Sequence, residues 1–309
     1  MAILFSSPVD SAAHWQAETA RLMPEREFRV WPALGDPAAI DYAIVWRPPP
    51  GLLASLPNLR LILSLGAGVD HLFGDRQLPR GVPVVRLVDP YLSAAMSEFV
   101  ALGVLRLHRH DLDYLAQQRA REWREQPQKN AAERPVGILG FGTIGQAAGG
   151  MLKALGFSVT GWSRSAKTIP GFATCAGAAG LDALLARSEI LVCLLPLTPE
   201  TAGILNARTF AQLPRGAGLV NAGRGGHLVE ADLIPPLDAG QLSGAVLDVF
   251  RDEPLPPEHP FWRHPRILVT PHVAGITNPL TAAPIMVEAI RRFEAGLPLA
   301  NVVDPARGY

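Results

Sequence analysis

Between Val136 and Gly145 an apolar run breaks into glycines at 140, 142 and 145, and a helix-forming stretch from Gln146 to Leu155 follows. Each glycine has a separate reason. Gly140 permits a tight turn, Gly142 lets backbone come close to a pyrophosphate, and Gly145 lets the helix pack on the strand. The helix N-terminus adds N–H groups without intrahelical partners and the positive end of the helix dipole. Such a strand–turn–helix belongs to a βαβ unit, so it predicts a doubly wound domain. Its dinucleotide site would be formed by Gly140, Gly142, Thr143, Ile144 and Gly145.

The rest of the chain repeats that alternation. Short apolar, β-branched runs read as strands at Ala2–Phe5, Glu27–Val30, Tyr42–Trp46, Leu61–Ser64 and Val84–Arg86, with a helix at Ala12–Leu22. After a polar stretch from His108 to Arg134, strands follow at Val136–Leu139, Ser158–Trp162, Ile190–Leu194, Gly218–Asn221, Gly244–Val249 and Ile267–Val269. The polar stretch reads as an exposed helix and connector. From Pro279 to Phe293, apolar residues recur at helical spacing. The predicted fold class is α/β: two doubly wound (Rossmann-like and flavodoxin-like) domains with parallel sheets and a cleft between them. Residues 1–96 with 275–309 form one domain, and residues 97–274 form the dinucleotide-binding domain inserted into it.

Composition removes several function classes. Lys and Arg total 28, as do Asp and Glu, so there is no charge excess to favour nucleic acid or an anionic membrane. Two cysteines, Cys175 and Cys193, cannot build a disulfide framework or a Cys-rich zinc site, and no metal is expected. The segment His108-Arg109-His110 could hold a metal, but the stretch around it is polar and no carboxylate or Cys partner is evident, so it reads as a solvated helix end. The N-terminus shows neither a basic region nor a long apolar stretch, and no run reaches the ~18 residues of a membrane span. The expected location is cytoplasmic.

The strand after the glycine motif ends at Ser163, Arg164 and Ser165. An Asp or Glu here would accept from the ribose hydroxyls of NAD and would repel a 2′-phosphate. Arg164 can pair with that phosphate and the serines can donate to it. The expectation is NADP(H) preferred, with NAD(H) possible; the alternative is an exposed arginine on a turn.

Further candidate residues fall at the ends of predicted strands: Arg224, Asp248, Glu253 and His272. Ligands of doubly wound sheets bind outside the carboxyl ends of the strands. Together with the glycine motif, Gly66–His71, Leu195–Thr201 and Thr270–His272, these segments resemble the D-isomer-specific 2-hydroxyacid dehydrogenases over nearly the whole chain. The resemblance extends to the glyoxylate/hydroxypyruvate reductase A branch through Trp46–Pro49, Trp162–Ser165, Glu253–Pro257 and Ala306–Tyr309. It implies reduction of a small 2-oxo acid to the D-2-hydroxy acid. His272 would donate the proton, with Glu253 pairing with it and orienting it. Arg224 would hold the substrate carboxylate and polarise the carbonyl. Backbone N–H groups at Ala67 and Gly68 would bind the same carboxylate, with Trp46 lining the substrate site. Leu195, Pro196 and Asp248 would touch the cofactor, Asp248 through the nicotinamide carboxamide. A homodimer through the Asp111–Arg134 arm is also implied.

Three points depart from the pattern. Gly223 and Gly226 flank Arg224 where the family often has side chains, which predicts a looser loop. Ser188-Glu189 stands for the more usual Ser-Asp. Arg47 fits either a second charge for the substrate or a position facing water. Two other readings use the same fold: a nucleotide-sensing protein like the related corepressors, and a formate- or phosphite-type dehydrogenase.

Overall fold

The computed structural model describes residues 1–305, so Ala306–Tyr309 of the resemblance lie outside the described residues. The chain divides into two compact units, Met1–Leu92 with the segment from Thr277, and Ser93–Ile276.

The first unit holds a five-stranded parallel sheet: β1 (Ala2–Ser6), β2 (Glu27–Val30), β3 (Ile40–Val45), β4 (Leu61–Ser64) and β5 (Val84–Arg86), in the order β2-β1-β3-β4-β5. That is the flavodoxin-like order, whose switch point lies between the first and third strands. Alternation along the strands feeds two cores. Ile3, Phe5, Tyr42 and Ile44 pack with Trp15 and with Met286 and Ile290 of the Pro279–Glu294 helix. Ala2, Leu4, Ala43 and Val45 face Leu53, Leu56 and Leu72 on the other side. Both faces of β1 and β4 are buried, so these strands read as continuous apolar runs, whereas the edge strand β2 is partly exposed.

The second unit holds seven parallel strands: β6 (Val136–Leu139), β7 (Val159–Ser163), β8 (Ala173–Ala176), β9 (Ile190–Cys193), β10 (Ala217–Asn221), β11 (Leu242–Leu247) and β12 (Ile267–Val269). Their order is β12-β11-β10-β9-β6-β7-β8. The chain starts at β6, builds outward to β8, then returns to β9 on the other side, which is the Rossmann arrangement. Val136, Ile138, Val192 and Val220 pack on one face with Val100 and Val104 of the Pro90–His108 helix. Leu139, Leu191, Cys193, Leu219 and Leu247 pack on the other.

Three sequence expectations are refined here. The sequence pattern misses β8, because Ala173–Ala176 is an edge strand of small, partly exposed residues with no apolar run. Strand boundaries move by one or two residues at several ends, as where β11 starts at Leu242 rather than Gly244. The polar stretch resolves into a helix at Asp111–Ala120, closed by Arg121 in the left-handed region (φ 58°), and an irregular, mostly exposed strip to Asn130. Among the described residues, no helix is long and apolar enough to cross a membrane.

Candidate active site

In the second unit the site grows from the carboxyl ends of β6, β7, β9, β10, β11 and β12. At β6, the backbone N–H groups of Gly140 and Phe141 both donate to the Trp162 carbonyl at the end of β7, at 3.0 Å. Gly140 is left-handed (φ 94°), and a Cβ there would lie 2.6 Å from the Leu194 carbonyl oxygen. A Cβ on Gly145 would lie 2.2 Å from the Gly140 carbonyl oxygen. These two glycines are therefore demanded by protein packing. Gly142 is different: a Cβ there would meet nothing within 4 Å. It caps the Thr143–Ala154 helix without a side-chain hydrogen bond, so the first-turn N–H groups of Thr143, Ile144 and Gly145 face that opening. An opening before a helix N-terminus fits a dinucleotide pyrophosphate. Phe141, between the two glycines, turns inward onto Gly161, where a Cβ would sit 2.1 Å from its ring.

At the end of β7, Ser163 is half-buried and donates through Oγ to the Ser165 carbonyl at 3.0 Å, while Arg164 and Ser165 are exposed. Beyond β9, Leu195 is buried. The Pro196 carbonyl accepts from Thr201 Oγ1 at 2.7 Å, which folds the Leu195–Thr201 segment back on itself.

Arg224 follows β10 in a tightly packed loop. Its carbonyl accepts from Asn221 Nδ2 at 3.2 Å, and its Nη1 donates to the Gly223 carbonyl at 2.9 Å. A Cβ on Gly225 would lie 1.8 Å from the Phe250 carbonyl carbon, and one on Gly226 would lie 2.9 Å from the Leu197 side chain. The expectation of a looser loop is corrected by this packing. The missing side chains at Gly223 and Gly226 are filled by His227 and Leu197, which takes up the freedom that glycine gives.

Asp248 follows β11 and is 1% exposed. Its Oδ1 accepts from Thr270 Oγ1 at 2.7 Å and from the Val273 N–H at 2.9 Å, and its Oδ2 accepts from the Ala274 N–H at 2.9 Å. Burial pushes its carboxyl above the usual aspartate range, and those three bonds together with the nearby His272 pull part of the way back. The carboxylate thus clamps both flanks of His272, whose own N–H donates to the Asp248 carbonyl at 2.9 Å. His272 is left-handed (φ 55°), an uncommon state for a non-glycine residue, and the Asp248 clamp holds it there.

Glu253 completes the arrangement. Its Oε2 lies 2.9 Å from His272 Nδ1, and its Oε1 accepts from the Phe250 N–H at 3.0 Å. An ionised carboxylate only accepts, so Nδ1 carries a hydrogen and Nε2 is the ring nitrogen suited to proton exchange. The Gly225 packing lays the Arg224 loop on the Phe250–Arg251 peptide that leads to Glu253. Arg224, Asp248, Glu253 and His272 are thus gathered at neighbouring strand ends. Among the described residues no cluster of three His, Cys, Asp or Glu side chains could hold a metal ion.

In the first unit, Trp46 follows β3 and Gly66, Ala67 and Gly68 follow β4. A Cβ on Gly66 would lie 2.3 Å from the Trp46 ring. That ring also packs on His71, centroid to centroid 4.3 Å, and the Arg47 guanidinium lies 5.8 Å from its centroid. Arg47 is exposed and left-handed (φ 44°).

Sequence reasoning left two participants without a role. Thr270 holds Asp248, and its signal was its place two residues before His272. His227 is fully buried under the Arg224 loop, and its signal was a histidine three residues after the arginine.

Residues 101–274 match the family model described as D-isomer specific 2-hydroxyacid dehydrogenase, NAD binding domain. The chain is 44% identical over 314 residues to the glyoxylate/hydroxypyruvate reductase A of Serratia proteamaculans, with all of both chains covered. Among solved structures it is similar to a D-isomer specific 2-hydroxyacid dehydrogenase from Xanthobacter autotrophicus Py2 in complex with NADPH and MES. The TM-score there is 0.94 at 46% identity, covering 100% of this chain and 99% of that one. It is also similar to an NADPH-dependent glyoxylate/hydroxypyruvate reductase from Sinorhizobium meliloti in complex with NADP and sulfate. That TM-score is 0.93 at 44% identity, with both chains fully covered.

Proposed function

The chain belongs to the D-isomer-specific 2-hydroxyacid dehydrogenase family, and from that premise we propose that it reduces glyoxylate or hydroxypyruvate to the D-2-hydroxy acid with NADPH. The observation that carries this reading is the Glu253–His272 pair at 2.9 Å, set beside the Arg224 loop. When bound, the reduced nicotinamide supplies the hydride. His272 gives a proton from Nε2 to the oxygen of the substrate carbonyl, and Glu253 fixes the ring and balances its charge. Arg224 grips the carboxylate with its planar fork and draws electron density from the carbonyl. Asp248 holds the His272 segment through Thr270, Val273 and Ala274, and from the end of β11 it takes the nicotinamide carboxamide. Gly142 and the first-turn N–H groups of Thr143, Ile144 and Gly145 take the pyrophosphate, with Leu195 and Pro196 bounding the cofactor. Ser163, Arg164 and Ser165 take the 2′-phosphate, since the strand runs out into serines and an arginine rather than into an Asp or Glu.

In the first unit, the N–H groups of Ala67 and Gly68 take the substrate carboxylate and Trp46 shapes its surroundings; the Gly66–Trp46 contact supports this. A homodimer through the Asp111–Arg134 arm is supported by Trp123, which is 99% exposed. A cytoplasmic location is supported by two free thiols, of which Cys193 is fully buried.

The test is loss of the reduced-nicotinamide absorbance on mixing the protein with 2-oxo acids and either NADPH or NADH. The expected result is turnover of glyoxylate and hydroxypyruvate with a higher kcat/KM for NADPH. Nucleotide binding without turnover of any 2-oxo acid overturns the reading. Light scattering on the purified protein tests the dimer, and a monomer overturns it.

A further inference from the structure

The loop after β10 contains a second histidine that the reaction does not use. His227 is 0% exposed, yet both ring nitrogens are engaged. The Arg224 N–H donates to Nδ1 at 3.1 Å, and Nε2 lies 3.2 Å from the Pro196 carbonyl oxygen. These partners fix the tautomer. A backbone N–H can only donate, so Nδ1 carries a lone pair; a carbonyl can only accept, so Nε2 carries the hydrogen. Gly223 leaves room for the ring, since a Cβ there would lie 3.1 Å from Nδ1. The Arg224 peptide is thus held on both sides, its N–H by His227 and its carbonyl by Asn221. The other end of the ring is tied to Pro196, itself fixed by Thr201.

We propose that His227 is a positioning residue: its neutral ring, held in one tautomer by the Pro196 carbonyl, accepts the Arg224 amide through Nδ1 and so sets where the Arg224 guanidinium meets the substrate carboxylate. This rests on the reductase reading above. A guanidinium that binds a planar carboxylate through two parallel hydrogen bonds is sensitive to small displacements, so the hold on Arg224's own backbone amide governs it.

Three substitutions separate the two ends of the ring. His227→Asn keeps an acceptor at the Nδ1 position, His227→Gln keeps a donor at the Nε2 position, and His227→Phe keeps the volume alone. Steady-state reduction of glyoxylate with NADPH reads the effect. The expected result is a substrate KM within about threefold of wild type for Asn, and raised about ten- to a hundredfold for Gln and Phe, the loss expected when a buried amide is left unpaired. A space-filling histidine gives the reverse order, with Phe best and Asn worst, and that result overturns the proposal; equal losses in Asn and Gln overturn it as well. Should a variant fold poorly by thermal melting, nitrogen NMR of 15N-histidine-labelled wild-type protein decides. The expected ring has Nδ1 unprotonated and Nε2 protonated; an Nδ1-protonated ring overturns the proposal. Wild-type turnover judges the reductase reading by itself: without it, that reading and Arg224's carboxylate role both fall, whereas the order of the variants judges His227.

Discussion

Glu253→Gln isolates the pairing on which the proposed proton transfer depends. The side chain keeps its length and volume but has one acceptor where the carboxylate had two. In the native arrangement Oε1 accepts from the Phe250 N–H at 3.0 Å while Oε2 accepts from His272 Nδ1 at 2.9 Å. A glutamine cannot do both. If its oxygen stays with Phe250, its NH2 faces Nδ1 and forces the ring into the tautomer with the hydrogen on Nε2. If it flips, two donors meet at Phe250. In either case the negative partner of the imidazolium is gone. A hydrogen bond to a charged group contributes about 1.5–3 kcal/mol. At about 1.36 kcal/mol per factor of ten, kcat for reduction falls about tenfold to about 150-fold. The glyoxylate KM changes little, because the Arg224 loop keeps its own bonds to Asn221 and His227. The assay is initial-rate NADPH oxidation near neutral pH, with thermal melting to confirm the fold. A variant with wild-type kcat would refute the reasoning.

Other expectations follow from the same contacts. His272→Asn should lower kcat by about 100-fold or more with NADPH binding retained, as measured by initial rates and fluorescence titration. Arg164→Ala should lower kcat/KM for NADPH more than for NADH; an unchanged ratio of the two would show that the side chain does not meet the 2′-phosphate. Gly225→Ala places a Cβ 1.8 Å from the Phe250 carbonyl carbon, so it should cost about 1–3 kcal/mol in urea unfolding and lower activity by displacing Arg224. Tyr42 is pushed up to about 12 from an ordinary value of 10, first by burial and then by its 2.9 Å bond to Glu294. The folded chain therefore keeps a proton that the unfolded chain gives up, and this stability is present below about pH 10 and lost as the pH rises towards 12. Tyr42→Phe should cost about 1 kcal/mol near neutrality and make stability fall less steeply above pH 10, read from urea unfolding at several pH values.

The residues that declared themselves in the sequence are those whose chemistry is local. Gly140 and Gly145 are required by backbone contacts within one strand–turn–helix, so their spacing alone announced the turn. Buried parallel strands such as Ile190–Cys193 announced themselves as apolar runs, because both faces must be covered. The edge strand Ala173–Ala176 did not, because an edge needs no continuous apolar face. Arg224, Glu253 and His272 were legible as candidates through their places at predicted strand ends and through the family resemblance.

Tertiary structure decided what those candidates touch. No spacing rule states that a carboxylate 19 positions before a histidine lies 2.9 Å from it, or that Asp248 is turned to Thr270, Val273 and Ala274. Nor could the sequence show that the glycines around Arg224 are filled by His227 and Leu197 rather than left open. Periodicity and turn chemistry are written along the chain and act between near neighbours. Hydrogen-bond partners across strand ends exist only once β9, β10, β11 and β12 lie side by side, since it is sheet order, and not distance along the chain, that sets which side chains can meet.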